Sequence, residues 1–154
     1  MRIRETAVMK PVRSAEAAFD GLQGAWRFDR QISDQATMSG EASFEWGGSQ
    51  CLLYKERGRI QLKSGTTHDA HRSYIYTRLP DGFSIWFADA QPRLFHEVHL
   101  YQDGACWVAD ATHLCGDDTY VTFYRFAPDG SFFVRHDVAG PRKSYVSTTR
   151  FVRR

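Results

Sequence analysis

The cleanest alternation in the chain runs from Met38 to Trp46. Met38, Gly40, Ala42, Phe44 and Trp46 are separated there by Ser39, Glu41, Ser43 and Glu45. A period of two puts one side of a β-strand in a core and the other in water. The stretch from Gly24 to Ile32 reads the same way, with Trp26, Phe28 and Ile32 set between Arg27, Asp29 and Gln31. Gly24 shares the face of the Trp26 indole and leaves room for chain to close over it. Further strands are predicted over 51–58, with Leu52, Tyr54 and Glu56 on one face, and over 59–63, 72–79, 83–89 and 94–101. Four more follow over 105–112, 120–126, 132–138 and 144–152. Pro80-Asp81-Gly82 is a hairpin turn with glycine where positive φ is expected, and Gln102-Asp103-Gly104 and Pro128-Asp129-Gly130 supply further turns.

Helical spacing occurs once, over 14–22. Ser14 is the N-cap, Glu16 suits the positive end of the helix dipole, Gly21 stops the helix, and Phe19 and Leu22 can plug one end of a barrel. Short strands with turns about every 8–12 residues predict an all-β fold. The expected architecture is one antiparallel up-and-down β-barrel of about 8–10 strands over residues 14–154, capped by the short helix. Residues 1–13 lack periodicity and contain Pro11, and are expected to form a flexible arm.

Composition narrows the function. A chain of 154 residues, 42% hydrophobic and 14% aromatic, can bury a real core. Its net charge of +2 is spread over a mixed surface without a basic face, so nucleic acid is not an expected partner. Cys51, Cys106 and Cys115 are odd in number and lack C-x-x-C spacing, which argues against a disulfide framework or zinc knuckle. Neither a membrane-length apolar run nor an export-type apolar segment is present, and the cytoplasm is the expected compartment.

Candidate chemistry is thin. His113 and Cys115 stand two apart and share a face if their strand continues; they are a potential ligand pair for a metal or a haem, with His96, His99 or Asp118 as further ligands. Packing at a strand end is the simpler role, and no cofactor is called for. His96-x-x-His99 and His68-x-x-His71 send their rings to opposite faces of a strand. As a nucleophile Cys115 would need a lowered pKa beside His113 or a cation. The loop Gly140-Pro141-Arg142-Lys143 offers a guanidinium fork and a point charge to an anion, unless Arg142 pairs with Asp118 or Asp137. Tyr54, Glu56, Arg72, Tyr74, Tyr76 and His136 are candidates to face inward. A charge kept in a barrel must be paired, and Glu56 with Arg72 is the expected pair.

Two resemblances bear on this. Gly24-x-Trp26 after a short helix, with Arg150 in the last strand, resembles the lipocalin and calycin pattern, which implies that the Arg closes over the Trp and seals the barrel base. His113-x-Cys115-x-x-Asp118-x-Tyr120 and Gly140-Pro141-Arg142-Lys143-x-Tyr145, with Phe95-His96 and Tyr54-x-Glu56, resemble a bacterial family of calycin-like proteins of unknown function. That resemblance covers nearly everything from Phe19 onward. Ser144 departs from it, where an Asp commonly follows the Lys. It implies a fold and a pocket, and brings no activity.

The leading expectation is a barrel that binds a small amphipathic or anionic molecule. Its candidate contacts are Tyr54, Glu56, Arg72, Tyr74, His96, His113, Tyr120, Arg142, Lys143 and Tyr145. Two alternatives stand beside it: an enzyme of small molecules with His113 as general base oriented by Asp118, and an interaction module with a filled barrel. Whether the chain pairs as a homodimer is left open.

Overall fold

The computed structural model describes residues 13–154; all but Arg13 of the expected arm lies outside the described residues. The predicted helix is present as α1 (Ala15–Asp20), with the Ser14 hydroxyl accepting from the Ala17 amide. Eleven strands follow. β1 (Gly24–Ile32), β2 (Ala36–Trp46), β3 (Cys51–Leu62), β4 (Thr67–Leu79), β5 (Gly82–Phe87) and β6 (Arg93–His99) form the first half. β7 (Tyr101–Asp103), β8 (Cys106–Cys115), β9 (Asp118–Phe126), β10 (Phe132–Ala139) and β11 (Ser144–Arg153) form the second. Every neighbour is antiparallel, in the order β6-β5-β4-β3-β2-β1-β11-β10-β9-β8-β7. This is an up-and-down meander curled into a nearly closed barrel, with β6 lying against β8 across the seam.

The strand count differs from expectation at two places. The expected strands 51–58 and 59–63 are one, because β3 stays in register with β2 from Trp46↔Leu52 to Ala36↔Leu62. The expected strand 94–101 is two: β6 pairs with β5, and after Leu100 the chain crosses to pair with β8 as β7.

Parity then sorts the side chains. Trp26, Phe28 and Arg30 of β1 point in, as do Leu52, Tyr54 and Glu56 of β3. One end of the barrel is packed solid. Phe19 of α1 reaches Phe83, Trp26 meets Phe132 edge-on at 4.9 Å, and Phe132 stacks on Phe151 at 4.3 Å. The Trp26 indole Nε1 donates to the Leu22 carbonyl at 2.7 Å, which ties the helix exit to the first strand.

The arginine over Trp26 is Arg153, whose guanidinium lies 4.1 Å from the ring centroid, and not Arg150. Register explains the correction. Trp26 is opposite Arg153, whereas Arg150 is opposite Asp29 and shares the outward parity of that position. Arg153 also donates to the carbonyls of Gln23 (2.7 Å) and Gly21. Gly24 is needed here because its φ of +126° is one that L side chains rarely adopt; a Cβ would also displace the Arg153 guanidinium, 2.7 Å away.

Candidate functional site

At the end opposite α1 the barrel holds a cavity of about 400 Å³. Phe87, Phe95, Tyr74, Met38 and Ile60 supply its apolar wall, from five different strands. Phe95 is there because of a β-bulge. Ile85 opposes His96 and Trp86 opposes Leu94, so Phe95 is the extra residue, and both Phe95 and His96 turn inward although adjacent in sequence. Their rings stand 4.1 Å apart, and Phe95 also meets His113 edge-on at 5.0 Å and stacks on His136 at 6.1 Å.

The cavity floor is an ion pair. Arg30 Nη1 and Nη2 donate to Glu56 Oε2 (2.8 Å) and Oε1 (2.9 Å), and Arg30 Nε donates to Thr149 Oγ1 (2.8 Å). The Tyr54 hydroxyl donates to Glu56 Oε1 at 2.6 Å. The expected Glu56–Arg72 pair is therefore replaced by Glu56–Arg30. Arg72 faces Glu56 in register on β4, but its guanidinium lies over the Tyr74 ring at 5.9 Å. Two planar forks meeting side by side satisfy both ions in a way that one oblique contact would not. Burial alone would raise the Glu56 pKa; the Arg30 hydrogen bonds and charge, with Arg72 and Tyr54 adding, outweigh it and hold the carboxyl below its ordinary value. Burial and the Glu56 charge push the Tyr54 phenol well up.

Two histidines sit beside this pair as neutral rings. Burial, then the charges of Arg72 and Arg30, brings His136 down to about 4. Burial, then His136 and His113, brings His96 down to about 3. His136 Nδ1 shares a 2.8 Å hydrogen bond with Thr122 Oγ1, and His96 Nε2 shares a 2.6 Å one with the Tyr124 hydroxyl.

The structure brings most of the expected contacts together. Glu56, Arg72, Tyr74, His113, Tyr120 and Tyr145 line the cavity, and Cys115 reaches its rim. Tyr54 lies beneath the floor, on the far side of Glu56. His96 is buried behind the wall against Tyr124 and is not among the lining residues. Arg142 and Lys143 stand exposed on the β10–β11 turn, which the Gly140 amide closes by donating to the Lys143 carbonyl at 2.8 Å. Asp118 turns to this loop: its Oδ2 lies 3.7 Å from Lys143 Nζ, and a Cβ on Gly140 would collide with its carboxylate at 1.9 Å. Lys143 Nζ also donates to the Tyr120 hydroxyl at 3.4 Å.

No hydrogen bond joins Asp118 to His113 among the described residues, and neither Asp118 nor Asp137 accepts from Arg142; Asp137 accepts from Arg135. Nor does any group of three His, Cys, Asp or Glu side chains among them stand ready to hold a metal ion. His96 and His99 do take opposite faces, the first buried and the second exposed between Asp81 and Glu97.

Sequence reasoning missed Arg30 and Phe87 as cavity residues. Both were open to a parity argument: Arg30 is two beyond Phe28, and Phe87 is two beyond Ile85. A wider depression of about 850 Å³ on the outer face, around Asp29, Arg59 and Arg150, has no comparable aromatic wall.

The whole barrel is similar to an S-type phycobiliprotein lyase, CPES, from Guillardia theta, at TM-score 0.66 and 12% identity over 92% of this chain and 93% of that one. A likeness at that identity speaks to the fold. A redesigned β-barrel, mFAP1, bound to DFHBI, matches at TM-score 0.44 and 13% identity over 88% of this chain and 98% of that one. None of the curated proteins matches. No helix among the described residues is long and apolar enough to cross a membrane. The sequence from residue 22 to residue 153 matches one family model, and the chain belongs to that family, DUF6314, a family of unknown function.

Proposed function

We propose that the open end of the barrel binds a small molecule with a flat apolar body and an anionic end. The observation that carries this reading is the charge balance of an aromatic-walled cavity. Arg30, Arg72 and Glu56 line it, so two guanidinium groups face one carboxylate. Arg30 spends its fork on Glu56, and Arg72 has no carboxylate within ion-pair distance among the described residues. One positive charge on an apolar wall suits a carboxylate or similar anion carried on a ring system. Phe87 and Phe95 would take the ring faces, and Tyr145 with Arg72 the anion. Arg142 and Lys143 would act from the rim, by attracting the anion rather than by touching it in the bound state.

The test is calorimetric titration of 2-naphthoate, a fluorescent aromatic carboxylate, into wild type, Arg72→Leu and the cavity-filling variant Ala70→Trp. One-to-one binding that weakens at least tenfold in Arg72→Leu and disappears in a folded Ala70→Trp supports the reading. Absence of binding to wild type, or binding untouched by the filled cavity, overturns it.

A further inference from the structure

Below the floor of the cavity lies a second chamber of about 30 Å³, the size that one small oxygen-bearing group or one water occupies. Arg30, Glu56, Arg72, Tyr74, Phe95 and His136 border both spaces and so form the partition between them. The chamber itself adds Tyr54, Tyr76, Tyr124 and Thr149. Most of its polar atoms are committed. Tyr54 donates to Glu56, Thr149 accepts from Arg30, and Tyr124 is bound to His96.

Arg72 and the Tyr74 hydroxyl, on the partition, are not, and neither are two atoms deeper in the protein. The Tyr76 hydroxyl takes part in no hydrogen bond among the described residues, although the side chain is 91% buried. His136 spends Nδ1 on Thr122, and its Nε2 has no partner among the described residues. A hydroxyl and an imidazole nitrogen that border one small space thus keep hydrogen-bonding capacity that the protein leaves unused and a guest can take up. Arg30 and Glu56 neutralise each other and burial keeps the tyrosines un-ionised, which leaves Arg72 as the one unpaired charge at the partition.

We infer that this chamber is a subsite for an uncharged oxygen, a hydroxyl or a carbonyl, at the leading end of the ligand. Tyr76 and His136 are its recognition groups. The inference rests on the binding reading above and sharpens it. The ligand enters oxygen first, its ring lies against Phe95 and Phe87, and its anion stays near Arg72 and Tyr145. The chemical class is then an aromatic or otherwise flat acid with a hydroxyl or carbonyl at the end remote from the carboxylate. A charged leading group is excluded, because Arg72, the one unpaired charge bordering the chamber, is taken by the ligand's own anion.

The test compares 6-hydroxy-2-naphthoate with 2-naphthoate, which differ only in the hydroxyl remote from the carboxylate. Wild type should bind the hydroxylated acid about five- to tenfold more tightly, the gain one hydrogen-bonding site gives. Tyr76→Phe should remove most of that gain and leave 2-naphthoate binding unchanged, because Tyr76 does not line the upper cavity; His136→Gln should remove most of the gain as well. Tyr76→Phe removes a hydroxyl without a protein partner, so it should fold with at least wild-type stability. Equal affinities in wild type, or a preference that survives both substitutions, overturns the subsite while leaving the binding reading intact. Failure of both acids to bind overturns the binding reading and the subsite with it.

Discussion

At the closed end, Phe44 meets Tyr76 edge-on at 5.1 Å, Phe126 stacks on Phe132 at 5.2 Å, and Arg153 covers Trp26. At the open end, Phe95 and Phe87 stack at 5.0 Å but face a cavity, beside a buried ion pair and two neutral imidazoles. The same residue types therefore do two jobs. Where each ring meets other rings on all sides, dispersion and burial hold the fold. Where one side of a ring faces a space, its apolar area is left over for a ligand. The difference teaches that the stability of this barrel is concentrated at the helix end, and that the other end spends stability on buried polar groups.

Acid should expose that contrast most strongly. His136 and His96 protonate at about 4 and about 3 when folded, against 6.5 when free. Between pH 6.5 and 4 the unfolded chain binds up to two protons that the folded chain does not. Stability is thus complete above pH 6.5 and falls with pH, by about 2–3 kcal/mol per unit at the steepest. Glu56, held low, adds in the same direction as pH passes below the ordinary carboxylate range. His99, exposed and held up by Asp81 and Glu97, works in the opposite sense but is screened by solvent. Urea midpoints measured from pH 7 to pH 4.5 check this, and His136→Gln should roughly halve the slope.

Next in size is the floor. Glu56→Ala should cost about 3–5 kcal/mol, since it strands the Arg30 charge, whereas the double replacement Arg30→Met with Glu56→Leu should recover most of that loss. Denaturant titration of wild type and these two variants separates the two cases.

Aromatic truncations should then rank the two ends directly. Phe44→Ala at the closed end should cost about 3–5 kcal/mol. Phe87→Ala should cost well under that, because its ring is only partly packed, yet it should weaken 2-naphthoate binding severalfold. Smallest is the latch. Arg153→Ala should lose about 1–2 kcal/mol through its cation–π contact and two carbonyl bonds. Arg150→Ala should stay within about 0.5 kcal/mol of wild type. Equal effects at the two arginines would contradict the latch assignment.

Sequence alternation was enough for the closed end. Phe28, Phe44 and Leu52 sit where period two puts them, and the capped helix sits where Ser14 and Gly21 bound it. The same parity also puts Arg30 inside with Trp26 and Phe28, and Arg153 inside with Phe151, but a charged residue on an apolar face reads as an exception rather than a signal. The lipocalin-like pattern points to Arg150, and only the pairing of β1 with β11 places Arg153 opposite Trp26. The open end was legible as a set of residues and not as a shape. Phe95 and His96 both point inward only because of a bulge, which no period reveals. Whether rings facing each other across a barrel meet or leave a gap depends on how the strands coil, and hydrophobic pattern carries no information on that.

The central claim is that the two ends differ in kind, one a core and the other a ligand site. Amide proton–nitrogen correlation spectra recorded while 2-naphthoate is added test it most directly. The account predicts shifts at Phe95, His113, Tyr120, His136 and Tyr145, with Phe44, Leu52 and the Trp26 indole unmoved. Shifts confined to the outer faces of the strands, or no shifts at millimolar acid, would contradict it.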